Sequence, residues 1–342
     1  MHQPKPPSTS RLRRHWQKWL NPALKLLIGG LLGWALYRQV FAEENARELW
    51  QTFAAHYNGS NLGWLALALA LVPLNLALEA LKFRQLIRNF TDSPFRTILR
   101  AVLAGVTIAI FTPNRVGEYG GRILFLPPEH NWKAVIATMV GSLSQLLVLL
   151  TAGLFGIAWF SARFLEMEPY SLPLMLCLGT AFIALLAFLF FNIDVVVPLA
   201  KRIPYIHKLG RYLRHLKVLQ NYTTAELSGA LGYAFMRYLT YCTQYYLLLR
   251  FYDIPVDWWT GMAGIASIFF VQASIPLPPV TGLLARGEIA LFTWGFFSED
   301  KLGILSATFT LFVINVAVPA LVGLVFVVRT NILKSLGYEN KN

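Results

Sequence analysis

Charge is scarce in this sequence: Asp, Glu, Lys and Arg make up 14% of its 342 residues, against about a quarter in an ordinary soluble domain. Acid is scarcer still, with 17 acidic residues to 30 basic ones. The chain has two cysteines, Cys177 and Cys242, both in apolar runs. They offer neither a disulfide framework nor a metal site and are expected to be small core residues. The histidines, His2, His15, His56, His130, His207 and His215, lie near the termini or in loops, with no pair at metal-ligand spacing in an apolar run. No Gly-x-Ser-x-Gly elbow, Walker A loop or Cys-x-x-Cys pair occurs. These gaps argue against an enzyme: no catalytic residue, metal or cofactor is expected.

What the chain has instead is apolar length. Of its residues 56% are hydrophobic, mean hydropathy is +0.51, and several apolar runs reach 18 residues or more. The expected fold is an all-α polytopic membrane protein. The spans fall near 24–41, 62–81, 134–160, 171–192, 225–250 and 302–328, with broken segments at 97–126 and 258–297. The basic tail before the first span lacks a small-residue cleavage pair, so that span is expected to be uncleaved.

A net charge of +13 is compatible with nucleic-acid binding, but the basic residues follow membrane topology instead. Six Lys/Arg lie at 1–25, five at 82–100, six at 201–217 and three at 329–342, with only Asp92 and Glu339 among them. The opposite loops are acidic, at Glu43, Glu44 and Glu48, Glu166 and Glu168, Asp253 and Asp257, and Glu299 and Asp300. The positive-inside rule puts both termini in the cytoplasm and nucleic acid out of consideration. The stretch 201–217 mixes basic with apolar residues and is either an interfacial helix or an ordinary connector.

Two interrupted stretches stand out at lipid depth. The first, Thr-Pro-Asn-Arg-Val-Gly-Glu-Tyr-Gly-Gly-Arg at 112–122, holds Arg115, Glu118 and Arg122 beside Pro113, Gly117, Gly120 and Gly121. The spacings of three and four put the ionisable residues on one helical face. The second holds Pro278, Pro279, Gly282, Arg286 and Glu288. Ionisable groups at this depth cost about 2.5–3.5 kcal/mol each on insertion scales and point to function. Broken backbone persists there only inside protein or beside water.

Orientation constrains both breaks. The first must enter and leave on the cytoplasmic side and the second on the opposite side, as re-entrant hairpins; full crossing by paired spans satisfies the same loop charges. The chain then divides into a basic tail (1–23), a repeat at 24–165 with hairpin 97–126, an inverted repeat at 166–330 with hairpin 258–297, and a short tail (331–342). Paired breaks in two inverted halves mark a binding site at the membrane midplane. The register between the halves stays open, because aligning the prolines misaligns the Gly-Glu pairs.

Arg115, Glu118, Arg122, Arg237, Arg286 and Glu288 are the candidate substrate-binding residues; Pro113, Gly117, Gly120, Gly121, Pro278, Pro279 and Gly282 are the candidate hinges. Arg237 lies too centrally in its span to reach water and needs a partner, with Glu79, Glu226 and Glu288 as options. The surplus of cations over carboxylates suits an anionic guest, and guanidinium forks match phosphate oxygens. Half-helices starting after Pro113 and Pro279 would add their positive N-terminal ends. The competing reading makes these charges structural pairs only.

The motif Thr112-Pro-Asn-Arg-Val-Gly-Glu-Tyr-Gly-Gly-Arg122, with the later proline-rich Gly…Arg-Gly-Glu segment, resembles the lysylphosphatidylglycerol synthase transmembrane family. The resemblance covers about 20–330. It implies a bacterial inner-membrane flippase that moves an aminoacylated phospholipid or another lipid-linked headgroup between leaflets. It carries over Pro113, Gly117, Glu118 and Arg122, and also Gly282, Arg286 and Glu288. The chain lacks the synthase half, so no aminoacyl transfer is implied. The expected partners are membrane lipids with anionic or zwitterionic headgroups. The alternatives are a polyprenyl-phosphate or glycolipid translocase and a scaffold of an envelope-synthesis enzyme. A partner synthase or homo-oligomer is not readable from the sequence.

Overall fold

The computed structural model describes residues 22–31, 33–34, 46–57, 61–110, 112, 115–165, 168–194, 215–275, 282–335 and 337. Among them the only regular structure is helical. Two short helices open the chain, α1 (Pro22–Leu31) and α2 (Ala46–Tyr57). Next come α3 (Leu62–Ile87), α4 (Phe95–Ala109), α5 (Gly117–Ile123) and α6 (Asn131–Phe164). The later half holds α7 (Ser171–Phe191), α8 (Thr224–Phe251), α9 (Trp258–Ala273) and α10 (Gly282–Trp294). Last are α11 (Lys301–Phe312), a π-helical turn (Val313–Ala317), α12 (Val318–Arg329) and α13 (Ile332–Ser335). The amphipathic stretch 201–214 lies outside the described residues.

Among the described residues four helical stretches are long and apolar enough to cross a bilayer: Leu62–Ile87, Pro128–Phe164, Ser171–Phe191 and Lys301–Arg329. The fifth expected span, α8, has 28 residues, more than enough length, but carries Glu226, Arg237 and Arg250. Local sequence sets several starts. A capping box opens α8: the Thr223 hydroxyl accepts from the Glu226 N–H, and the Glu226 carboxylate accepts from the Thr223 N–H at 2.9 Å. Asp257 caps α9 by accepting from Thr260 N–H at 3.1 Å, and these hydrogen bonds hold its carboxyl below the usual carboxylate range.

Two expectations need correction. The span expected to end at 81 continues as helix to Ile87, because Lys82 finds a buried partner instead of water. Lys82 is therefore not a loop cation. Cys242 is buried, but Cys177 is exposed on α7, where Phe190 alone is buried.

The broken segments form two antiparallel helix pairs. At about 1.5 Å per residue, the 15 residues of α4 reach about 22 Å and the 7 of α5 about 10 Å. Both fall short of a hydrocarbon core of about 30 Å. The 16 residues of α9 and 13 of α10 reach about 24 and 20 Å. In the first pair the backbones touch. A Cβ on Gly121 would run into the Ala104 carbonyl and Gly105 Cα, and one on Gly117 would lie 2.5 Å from the Ile108 carbonyl oxygen. In the second pair the Trp294 ring fills the space over Gly264 and donates to Tyr245 Oη at 3.2 Å. The turn before α5 places Arg115 in the left-handed region, at φ 58°, a conformation costing about 1–2 kcal/mol outside glycine.

Helix α6 packs on α9 and α12 on α4, while α3 and α8 lie antiparallel along each other. Thr107 on α4 donates to the Ala320 carbonyl of α12 at 2.8 Å. The tips meet in one apolar cluster, where Val106 and Ile110 pack with Leu283, Phe312, Ala317 and Ala320.

The backbone contact at Gly121 gives a direct test. Gly121→Ala should destabilise the detergent-solubilised protein by about 1–3 kcal/mol, the usual cost of overpacking. Gly120→Ala, whose Cβ meets nothing within 4 Å, should leave the melting temperature unchanged or raise it. Thermal unfolding of both variants checks the pair.

Candidate functional site

Between the hairpin tips and helices α3, α6 and α8 lies a cavity of about 510 Å³, within the range of small-molecule sites. Its charge is set by residues from five elements. Glu79 and Lys82 project from α3 one turn apart, and the Lys82 ammonium lies 2.8 Å from Glu79 Oε2. Arg237 of α8 reaches the same oxygen at 3.3 Å and also donates to Gln145 on α6 at 3.3 Å. Arg122 of α5 donates to Glu79 Oε1 at 2.5 Å and, one helical turn back, to Glu118 Oε1. Arg115 meets Glu118 Oε2 through Nε at 3.3 Å. Across the cavity, the first turns of α10 bring Gly282, Ala285 and Arg286 to the wall.

Burial decides what each group can do. The side chains of Arg122 and Lys82 are each 2% exposed. The Arg122 guanidinium also stacks over the Phe83 ring, 4.6 Å from its centroid. Removing one partner of such a buried pair leaves an uncompensated charge, typically at a cost of 3–5 kcal/mol. The Arg115 side chain is 41% exposed and uses only Nε in its ion pair. Among the described residues Arg286 has no ion pair or hydrogen bond. Four cations, Lys82, Arg115, Arg237 and Arg286, thus share the wall with two carboxylates. With Arg122 directly behind, the surplus is three positive charges.

Five of the six expected binding residues gather here. Arg115, Glu118, Arg237 and Arg286 line the cavity, and Arg122 sits behind the wall, committed to Glu79 and Glu118. Glu288 does not join them; it is exposed on α10, away from the cavity wall. Of Arg237's three possible partners, Glu79 is the one it meets, and Glu226 serves the α8 cap. Of the expected hinges, Pro113, Pro278 and Pro279 lie outside the described residues. Gly117 and Gly121 provide close approach, Gly120 is exposed, and Gly282 opens α10 at the cavity. At 7 residues α5 is too short to supply a useful helix end.

Sequence reasoning missed Lys82 as a site residue and had Glu79 only as one option among three. Their spacing of three, at the end of an apolar run, was the available signal. It also missed the contact of Asn75, whose amide donates to Asn315 Oδ1 at 2.9 Å in the π-helical turn.

A family model for the lysylphosphatidylglycerol synthase TM region matches residues 23–328. The chain belongs to this family. It is a multi-pass membrane protein, as the family and the apolar helices agree. No curated protein matches it. The matched region of this lysylphosphatidylglycerol synthase TM chain takes in both hairpins and every residue of the cavity wall.

The pairing predicts unequal costs of substitution. Glu79→Gln should destabilise the purified protein by about 3–5 kcal/mol, since three cations lose one buried partner. Arg286→Gln should leave unfolding unchanged or raise its temperature. Thermal melts in one detergent compare the two.

Proposed function

We propose that this protein is a flippase that moves a lipid's phosphate headgroup between the leaflets of a bacterial inner membrane, with both termini in the cytoplasm. The observation that carries the reading is the pair of open guanidinium groups, Arg115 and Arg286, one from each hairpin, facing one cavity. Guanidinium forks bind phosphate oxygens bidentately, and the N-terminal turn of α10 adds its positive end beside them. Family membership supports a lipid-related role.

Packing supports a paired organisation. Contact of α6 with α9 has its counterpart in α12 with α4, and each contact includes a glycine, Gly156 and Gly323 respectively. The antiparallel run of α3 and α8 fits two repeats of opposite orientation, with dividing points near 165 and 330. In such a design the two hairpins alternate as gates around a fixed site. The headgroup enters the wet cavity while its chains stay in lipid, and no covalent step is required.

One observation favours a scaffold: Glu79 and Glu118 are fully engaged in ion pairs. Those pairs account for Arg122, Lys82 and Arg237. They leave Arg286 without a role and Arg115 half used.

Loss of one charge-assisted phosphate contact is worth about 1.5–3 kcal/mol, or roughly 10- to 100-fold. Arg286→Gln and Arg115→Gln should each slow transfer of acyl-labelled phosphatidylglycerol in proteoliposomes by that factor, with unfolding temperature unchanged. Arg250→Gln, outside the cavity, should transfer normally. Equal rates in all four proteins would reject the reading.

A further inference from the structure

We propose that the cavity selects a headgroup that is net anionic and carries no ammonium, a simple phosphodiester or phosphomonoester, and excludes an aminoacylated one. This rests on the flippase reading and narrows its substrate class. The deciding feature is the state of the carboxylates. Glu79 and Glu118 are the only acidic residues on the cavity wall among the described residues, and the hairpin-tip segments 113–114 and 276–281 contain no ionisable side chain. All four of their oxygens already face a cation of the protein. Glu79 Oε1 takes Arg122; its Oε2 takes Lys82 and Arg237; Glu118 Oε1 takes Arg122, and its Oε2 takes Arg115. Glu288, the remaining candidate acid, is exposed away from the wall.

An entering ammonium therefore finds no free carboxylate. It has to displace Lys82 or an arginine from a buried pair, which strands that cation, or stand unpaired beside a surplus of three positive charges. Both are unfavourable in a partly dehydrated site. A phosphate meets the reverse. Among the described residues Arg286 has no ion pair or hydrogen bond and Arg115 pairs through Nε alone, so an anion relieves the existing repulsion. A lysyl ester adds two positive charges to the one negative charge of its phosphodiester. An unmodified phosphatidylglycerol brings the negative charge alone.

The test compares acyl-labelled phosphatidylglycerol with acyl-labelled lysylphosphatidylglycerol in proteoliposomes of the full chain. The expected result is transfer of the first at least 10-fold faster. Arg286→Glu, which supplies an unengaged carboxylate, should shrink or invert that preference. Equal rates, or faster transfer of the lysyl ester, would overturn the selectivity while the flippase reading stands. If neither lipid moves faster than in protein-free vesicles, the flippase reading falls. Binding then decides the selectivity, by thermal stabilisation with dihexanoyl-phosphatidylglycerol, its lysyl ester and inorganic phosphate. Stabilisation by the first but not by the ester, with or without an effect of phosphate, upholds it. Equal stabilisation by the ester, by phosphate alone, or by none of the three overturns it.

Discussion

Three cations converge on the carboxylate of Glu79 inside a protein whose surroundings offer little water. Lys82, Arg122 and Arg237 come from α3, α5 and α8, so one buried anion joins the first hairpin to both central helices. The surrounding geometry follows from that constraint. Helix α3 continues past the end of its apolar run because Lys82 is held by Glu79. The short helix α5 must lie close enough to α3 for Arg122 to reach across. That closeness explains why Gly117 and Gly121 leave the α4 backbone room to touch α5. Arg115 takes a left-handed conformation at the start of the return.

The proposed function rests on what this centre leaves unsatisfied. A carboxylate can neutralise one charge, and Glu79 with Glu118 neutralises two of five. The remainder is a positive field at the meeting point of two helix pairs whose helices are each shorter than a hydrocarbon core. Such a field has no evident structural use, since a half-buried arginine without a counter-charge opposes folding. Retaining Arg286 with no partner among the described residues is a stability cost that a site for an anionic guest explains.

Much of this was legible from the chain. Arg115, Glu118 and Arg122 announced themselves because each is an ionisable residue at helical spacing within apolar sequence, and Arg115–Glu118 and Glu118–Arg122 do pair. The hairpins were legible from two clusters of proline and glycine between apolar runs. Lys82 was hidden by its neighbours, since a lysine followed by Arg84 and Arg88 at the end of a span has the same pattern as a cytoplasmic loop. Only the position of Glu79 one turn earlier distinguished it. The glycines misled in a different way: sequence shows that a glycine lacks a side chain, not whether that absence serves a bend or a contact. Glu288 was drawn in as an ionisable residue of the second broken stretch, but two positions from Arg286 on a helix it points elsewhere and is exposed on α10.

The central claim is electrostatic, that the cavity between the hairpins carries excess positive charge. A charge-selective labelling rate measures it most directly. With Cys177 and Cys242 replaced by Ser and Ala, a cysteine placed at position 285 on the cavity wall (Ala285→Cys) reacts with anionic or cationic methanethiosulfonate reagents of similar size. The account predicts that the anionic reagent reacts at least 10-fold faster, with the gap closing when Arg286 is also replaced by Gln. Equal rates, or faster reaction of the cationic reagent, would contradict it.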